Sequence, residues 1–179
     1  PTEGLSTGAY LVLAKRPEAD PVPVIQSPGA NWLLVCQPVG PTHALADTLG
    51  RHLQSQGQRI AVATVLNGGV ELSGQSLCLD LESPASAAAL LATAGANNGQ
   101  VDHVVYLADL GASASIHLTG VLYLVQALTR PTVSPRLWLV TAGGALVEGL
   151  SRRVSPDIHA AALWGLGRVV MNECPALVC

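Results

Sequence analysis

The segment Trp32-Leu-Leu-Val-Cys36 is a short, uninterrupted apolar run, which is typical of a strand buried on both faces of a sheet. The spacing of apolar residues after it predicts a helix over Ala44–Gln54, with Thr42 as its N-cap. A second apolar strand is predicted over Gln58–Val65. Two buried strands joined by a helix predict a parallel β-α-β unit, and this unit sets the fold class.

The same alternation continues beyond this unit. Further strands are predicted over Leu77–Leu81, Val101–Leu107 and Arg136–Thr141, with the start of a sixth over Leu177–Cys179. Further helices are predicted over Ala85–Ala94, capped by Ser83 and ended within Gly95–Gly99, over Ser115–Thr129, and from Pro156 to about Glu173, capped by Ser155. This alternation with short loops predicts a doubly wound parallel α/β sheet.

Residues 1–29 differ in character from the rest of the chain. Ala9–Leu13 could form one strand, but four prolines prevent regular structure between it and Gly29, namely Pro17, Pro21, Pro23 and Pro28. We therefore divide the chain into a leader over residues 1–29 and one α/β domain over residues 30–179.

Only 12% of the 179 residues are charged, the net charge is −3, and Lys15 is the only lysine. Soluble domains carry roughly 25% charged residues, so either the surface of this domain is unusually rich in Ser, Thr, Gln and Gly, or part of it is covered by something else, as in a larger assembly. The composition excludes disorder and a basic surface for nucleic acid. No apolar run reaches the ~18 residues of a membrane span, and residues 1–20 lack the pattern of a signal peptide, which favours a cytoplasmic protein.

Side chains that bind metals or act as nucleophiles form no known motif. The cysteines and histidines lack metal-ligand spacing, and no serine lies in a Gly-x-Ser-x-Gly turn. We expect free thiols, no metal site, and a loop-capping role for Asp109, the one acid predicted near the carboxyl ends of the strands. The cysteines are Cys36, Cys78, Cys174 and Cys179, and the histidines are His43, His52, His103, His117 and His159.

The turn after the first strand decides whether such a sheet binds a dinucleotide. Glycines are needed there because side chains would collide with the pyrophosphate or block the turn. The three glycine positions fall on Gln37, Gly40 and His43, so only Gly40 remains. Pro38 and Pro41 also remove two backbone donors. We interpret the turn as a degenerate site that binds no cofactor; the alternative is an ordinary βα turn that never bound a ligand.

The helix after the fifth strand would carry the catalytic pair of a reductase with this architecture. That pair is a Tyr, which protonates the new alkoxide, and a Lys or Asn four residues later. The segment His159–Arg168 contains no Tyr, and Leu163 and Gly167 stand at the equivalent positions. The sequence therefore predicts no catalytic residue in this chain.

Two segments resemble one family closely. Arg136-Leu-Trp-Leu-Val-Thr141 and Ala162-Leu-Trp-Gly-Leu-Gly-Arg-Val-Val-Met-Asn-Glu-Cys-Pro175 are similar to the structural subdomain of ketoreductases from modular type I polyketide synthases. Val101–Leu107 and the leader strand fit the same family, and the Leu-Trp-Gly-Leu-Gly-Arg segment is its most specific part. The resemblance implies a truncated Rossmann-like domain that resembles short-chain reductases, has lost its cofactor site, and supports a second, catalytic half.

The resemblance also implies the partners. The catalytic half would bind NADPH and reduce a β-keto group held by phosphopantetheine on a carrier protein, beside enoylreductase, dehydratase or methyltransferase domains. Whether that half follows directly, follows an inserted enoylreductase, or is missing as in a pseudo-ketoreductase stays open. The alternative is a divergent nucleotide- or small-molecule-binding Rossmann domain with its own activity.

The last two predicted helices carry more apolar residues than one sheet can cover. We expect the stripe formed by Ile158, Ala162, Leu166 and Val169 to face the sheet. We expect the remaining apolar residues to form the docking face for the catalytic half or a second copy, namely Leu118, Leu124, Ala160, Trp164, Gly167 and Met171. Trp138 is expected to be buried in the middle of its strand, either in a run buried on both faces of the sheet or on the face that the leader strand covers.

Overall fold

A computed structural model describes residues 29–65, 77–79, 83–108, 118–130, 135–144, 157–177 and 179. Its sheet contains five parallel strands in the order β3-β2-β1-β4-β5. The strands are β1 Asn31–Cys36, β2 Arg59–Val65, β3 Leu77–Leu79, β4 His103–Leu107 and β5 Arg136–Val140. The strand order reverses beside β1, as in doubly wound sheets that bind ligands at the carboxyl ends of their strands.

Helices cover both faces of the sheet, which confirms the predicted fold class. The helices are α1 Pro41–Ser55, α2 Pro84–Asn98, α3 Leu118–Leu128 and α4 Ile158–Glu173. Residues of α1 pack in the core of one face, and residues of α2, α3 and α4 pack in the core of the other. The side chains of Leu33, Leu34, Val35 and Cys36 are at most 1% exposed, so β1 is buried on both faces, as its apolar run predicts.

The capping predictions are confirmed for α2 and wrong for α1 and α4. The Ser86 amide donates to Ser83 Oγ at 3.1 Å, and Gly99, with φ of 85°, follows the last turn of α2. In α1, Pro41 occupies the first helical turn, so Gly40 takes the N-cap position and Thr42 lies inside the helix. In α4, the cap is Asp157 rather than Ser155.

The last residues do not form the predicted sixth strand in the part that the structure describes. Leu177 lies in a bend after α4, where its amide donates to the Cys174 carbonyl at 2.9 Å. Its side chain is 1% exposed and joins the core beneath α4. The predicted leader strand Ala9–Leu13, the helical start over residues 115–117 and the loop residue Asp109 lie outside the described residues. None of the helices in the described ranges has the length and apolarity needed to cross a membrane.

Candidate functional site

The turn between β1 and α1 lies at the carboxyl ends of the strands, where this fold places a nucleotide. It spans Gln37 to Gly40, and Gly40 has φ of 94°. A Cβ added to Gly40 would meet no atom within 4 Å, so this glycine is required by backbone conformation rather than by space. Gln37 and Pro38 are half-buried. The turn that we interpret as degenerate therefore lies at the end of the sheet where this fold binds ligands.

Three polar side chains form a row beside this turn. Cys36 Sγ at the end of β1 lies 3.9 Å from His43 Nδ1, and His43 Nε2 lies 4.0 Å from Asp47 Oδ2. From the sequence alone, Cys36 and His43 are candidates at separate positions, and Asp47 is not singled out. The signal was present in the spacing of His43 and Asp47, because residues four apart lie on one helix face.

A cysteine, a histidine and an aspartate in a row resemble the order of groups in a nucleophilic triad, but the thiol is not activated. Burial, and secondarily the negative charge of Asp47, raises the pKa of Cys36 to about 11. Only the thiolate is a nucleophile, and Cys36 is 1% exposed. At neutral pH the row therefore works as packing that joins β1 to the first turns of α1.

The start of α1 is the one feature of this turn that is compatible with an anion. The helix has no side-chain cap at its N-terminus. Thr42 is fully buried, and its Oγ1 has no hydrogen-bond partner in the described part of the chain. The amides of the first helical turn have no carbonyl partner within the helix, although Pro41 contributes none. These groups support the alternative of a nucleotide-binding domain.

The two positions on α4 at which the sequence analysis expects a reductase pair hold Leu163 and Gly167, neither of which has a polar side chain. Leu163 is completely buried, and Gly167 packs so closely against β5 that an added Cβ would lie 3.3 Å from Leu139 Cδ1. Both positions therefore belong to the contact between helix and sheet. Within the ranges that the structure describes, no three histidine, cysteine or acidic side chains come together as a metal site.

The structure corrects the predicted docking face. Leu124 is 0% exposed, Ala160 is 1% exposed and Gly167 is buried, so these three residues belong to the core of the chain itself. Leu118 and Met171 are 40% and 43% exposed, and Trp164 is half-buried. Of the six predicted residues, only Leu118, Trp164 and Met171 are accessible for an external contact. Leu122 on α3, which the prediction did not include, is also exposed.

The stripe of α4 predicted to face the sheet is also wrong, except at Leu166, which is half-buried and packs against the core. Ile158 is 75% exposed and Val169 is 54% exposed. The buried side of α4 instead consists of Ala160, Leu163, Gly167 and Val170. The loop after β5 approaches α4 closely at Ala160. A Cβ added to Gly144 in this loop would lie only 2.9 Å from the Ala160 backbone, so the contact requires glycine.

An apolar cavity of about 230 Å³ lies between the outer edge of β5 and α4. Trp138 is 48% exposed at this edge, so the prediction that it is buried is wrong. The reason is its position in the sheet, because β5 is the last strand in the described order and has a neighbour on one side only. The lining includes Leu137, Trp138, Leu139, Leu163, Met171 and Cys179. The lining also contains the polar residues Thr141 and Arg168.

Another polar cluster lies at the opposite, amino-terminal end of the strands. The rings of Trp32 and His103 stack with their centroids 4.0 Å apart. Burial, and secondarily the positive charge of Arg136, lowers the pKa of His103. Asn31 connects β1 to the segment before β4, since its backbone amide donates to Asp102 Oδ2 at 2.8 Å. This cluster fixes neighbouring strands and lies away from the end at which this fold binds nucleotides.

Comparison with known proteins gives matches at the level of structure alone. No protein-family model matches the sequence, and no curated protein matches it significantly. Among solved structures, a multidomain NRPS module with adenylation, ketoreductase and pseudo-Asub parts is 17% identical, with a TM-score of 0.66 over 83% of this chain and 13% of that chain. A short-chain dehydrogenase from Mycobacterium smegmatis is 15% identical, with a TM-score of 0.58 over 83% of this chain and 72% of that one.

A third similar structure is an N-terminal ketoreductase from the macrolactin assembly line. It is 14% identical, with a TM-score of 0.55, and the match covers 84% of this chain and 31% of that chain. This chain therefore spans about a third of the ketoreductase chain that it matches. Sequence identities this low carry information about fold and not about activity. The structural matches, together with the strand order and the helices on both faces, show that the chain has a doubly wound, Rossmann-like α/β fold similar to that of these dehydrogenases and ketoreductases.

Proposed function

We propose that this chain is the non-catalytic, structural half of a ketoreductase in a polyketide synthase, where it stabilises and positions a separate catalytic half. The observation that carries the proposal is the turn after β1. Two of its three glycine positions hold Gln37 and His43, and the His43 ring lies against Cys36. Side chains therefore occupy positions where glycine is needed for the backbone to approach a pyrophosphate.

The α4 helix supports the same conclusion. Leu163 and Gly167 stand where a reductase needs its proton donor and the cation beside it, and both are buried against the sheet. A single substitution therefore does not restore the pair, because a tyrosine at either position would have to enter the core. NADPH does not fit the residues of this chain, and in our proposal it is bound by the catalytic half.

The same proposal assigns the surroundings of the chain. The catalytic half reduces a β-keto group that a carrier protein presents on phosphopantetheine, in a cytoplasmic multienzyme. Enoylreductase, dehydratase or methyltransferase domains are the expected neighbours. We propose that the exposed apolar residues of α3 and α4, namely Leu118, Leu122, Trp164 and Met171, contribute the contact with the catalytic half.

Activity of the catalytic half, measured with and without this chain, tests the proposal. The two are co-expressed, and NADPH consumption is followed with a β-keto thioester. We expect at least a tenfold loss of activity when this chain is omitted. Equal activity of the catalytic half with and without this chain would contradict the scaffold role.

A pair of matched variants tests the contact itself. Replacing Leu122 and Met171 with Glu should abolish association measured by sedimentation, because two charges would be buried at the interface. The control is Leu45→Glu, since Leu45 is similarly exposed, at 37%, but lies on α1 over the other face of the sheet. Association that survives the first pair, or that the control removes equally, would place the contact elsewhere.

The second candidate function is a nucleotide- or small-molecule-binding domain with its own activity. The uncapped start of α1 and the unpartnered hydroxyl of buried Thr42 favour it. Such a domain would bind its ligand in the absence of any partner, whereas a structural half would not.

A further inference from the structure

The side chain of His103 lies at the start of β4, the strand between β1 and β5. We propose that His103 is a proton-sensitive switch: its neutral ring holds the first residues of these three strands together, and its protonation loosens them. The inference concerns the stability of one end of the sheet, and it holds or fails independently of the proposed function. It rests on the stacking of the ring, on the surroundings of one ring nitrogen, and on the nearby charges.

His103 connects β4 to the strands on both sides. In the sheet register it is the partner of Trp32 on β1 and of Arg136 on β5. Its ring stacks on the Trp32 indole, with centroids 4.0 Å apart and an angle of 17° between the ring planes. The Asp102 amide beside it donates to the Asn31 carbonyl, and the Arg136 amide donates to the Asp102 carbonyl, each at 2.9 Å. A change in this ring therefore acts where all three strands begin to pair.

One nitrogen of the ring has surroundings that suit only the neutral form. His103 Nδ1 is buried and has no hydrogen-bond partner in the part of the chain that the structure describes. In a neutral imidazole one nitrogen is a donor and the other an acceptor, whereas in the charged imidazolium both are donors. The structure therefore favours a neutral ring with its proton on Nε2. Protonation would place an N–H group at a buried position that offers no acceptor, and such an unpaired donor is costly.

The charges beside the ring act mainly in the same direction. Burial, followed by the positive charge of Arg136, lowers the pKa of His103, and the negative charge of Asp102 opposes this shift. Asp102 is already engaged, because its Oδ2 accepts from the Asn31 backbone amide at 2.8 Å. Trp32 is attractive to a charged ring as well as to a neutral one, but it supplies no acceptor for an N–H group at Nδ1.

The helix on the same face of the sheet, α1, presents uncharged residues to this end. Gly50 and Leu53 are buried on its inner side. The ionisable residues beside them, Arg51 and His52, are exposed. Within the described ranges, the charged groups that act on the His103 ring are therefore the two named above, one on β5 and one in the segment before β4.

The direction of the pH dependence follows from these surroundings. The unfolded chain protonates His103 at the ordinary pKa of 6.5, and burial lowers the pKa in the folded chain. The stabilising contribution of the neutral ring is therefore complete above pH 6.5 and is lost as the pH falls through the folded pKa. Acid should loosen the starts of β1, β4 and β5, whereas the opposite ends of the same strands should stay paired.

Titration of the histidines in the full chain, followed by nuclear magnetic resonance, tests the premise. We expect the neutral His103 ring to carry its proton on Nε2 and its pKa to lie below 6.5. Arg136→Gln should raise this pKa, because it removes a positive charge beside the ring. A pKa at or above 6.5 in the unmodified chain, or a neutral ring with its proton on Nδ1, would overturn the proposal.

Amide hydrogen exchange from about pH 8 to about pH 5, relative to an unstructured chain at the same pH, tests the structural consequence. The protection of the Asp102 and Arg136 amides should fall by about threefold or more as the solution becomes acidic. The Ala108 amide, which donates to the Val140 carbonyl at 2.9 Å beyond the other end of β4, should keep its protection. Equal losses at both ends would show that acid acts on the whole domain, and a switch at one end would be refuted.

Two variants show whether His103 is responsible for the acid response. His103→Phe keeps an aromatic ring that can stack on Trp32 but has no ionisable group, so the Asp102 and Arg136 amides should stay protected in acid. His52→Gln is the matched control, since it removes an exposed histidine near the same end of the sheet and should leave the response unchanged. An acid response that survives His103→Phe, or that His52→Gln abolishes, would contradict the assignment. The measured pKa of His103 in the unmodified chain decides the question even if His103→Phe does not fold.

Discussion

At the scale of single residues, exposure separates apolar side chains that the sequence treats alike. Leu118 and Leu124 both lie on α3, and both were expected at an interface. Leu124 is completely buried, whereas Leu118 is 40% exposed. The difference in exposure depends on the order of the strands and on which side of α3 faces the sheet. The spacing of the leucines shows neither.

Truncating these two leucines should therefore have unequal effects. Leu124→Ala removes packed atoms from the core and should lower the free energy of unfolding by roughly 2–5 kcal/mol. Leu118→Ala should lower it by less than about 1 kcal/mol. Urea unfolding of both variants measures the difference, and equal losses would contradict the assigned rotation of α3.

The Cys36 thiol gives a second prediction at this scale. Its pKa is raised to about 11 in the folded chain, while the unfolded chain ionises near the ordinary value of 9.0. The unfolded state therefore loses this proton at lower pH, and the folded state loses stability as pH rises from about 9 to about 11.

Urea unfolding at several pH values across that range measures this loss. Cys36→Ala, with no thiol to ionise, should show a smaller decrease than the unmodified chain. Identical pH dependence in the two proteins would contradict the assigned burial and charge environment of Cys36.

At the scale of elements, the sequence predicts strands better than it predicts helix ends and faces. The run Leu33–Cys36 is apolar without interruption, so it has one plausible place in a parallel sheet. In contrast, α4 is apolar around most of its circumference, and its periodicity does not select the buried side. The exposure of Trp138 follows from β5 being the outermost strand in the described order, which depends on pairing between distant segments.

The same limit applies to the candidate site. The missing glycines at Gln37 and His43 are visible in the sequence because a turn after a buried strand is a local feature. The row formed by Cys36, His43 and Asp47 is not, since it depends on how the turn brings the end of β1 to the second turn of α1. The spacing of His43 and Asp47 alone does not identify Cys36 as their neighbour.

The start of α4 shows why the caps are hard to assign, and it gives a prediction. Ser155 and Asp157 flank Pro156, and either is a favourable capping residue. Asp157 Oδ1 accepts from the His159 amide at 2.9 Å and from the Ala160 amide at 3.4 Å. Asp157→Ala should therefore lower the free energy of unfolding by about 1 kcal/mol.

Ser155→Ala is the matched control and should leave stability nearly unchanged. Both variants are compared by thermal or urea unfolding. A larger loss from Ser155→Ala would mean that α4 begins earlier than Ile158.

At the scale of the whole molecule, the sheet has the strand order of doubly wound sheets that bind nucleotides, and its β1–α1 turn lies at the end where such sheets bind them. In our proposal this end binds no cofactor, because Gln37 and His43 stand in that turn and the buried residues Leu163 and Gly167 stand on α4. A low charge content and exposed apolar residues on α3 and α4 are consistent with a domain that works in contact with another protein.

Calorimetric titration of the full chain with NADPH tests this account most directly. Our account predicts no binding heat up to about 1 mM NADPH, since Gln37 and His43 occupy the glycine positions of the turn. The variant with Gln37→Gly and His43→Gly serves as the matched comparison, because any residual site should gain affinity when both side chains are removed. Binding of NADPH to the unmodified chain with a low micromolar Kd would contradict the account and identify a working cofactor site.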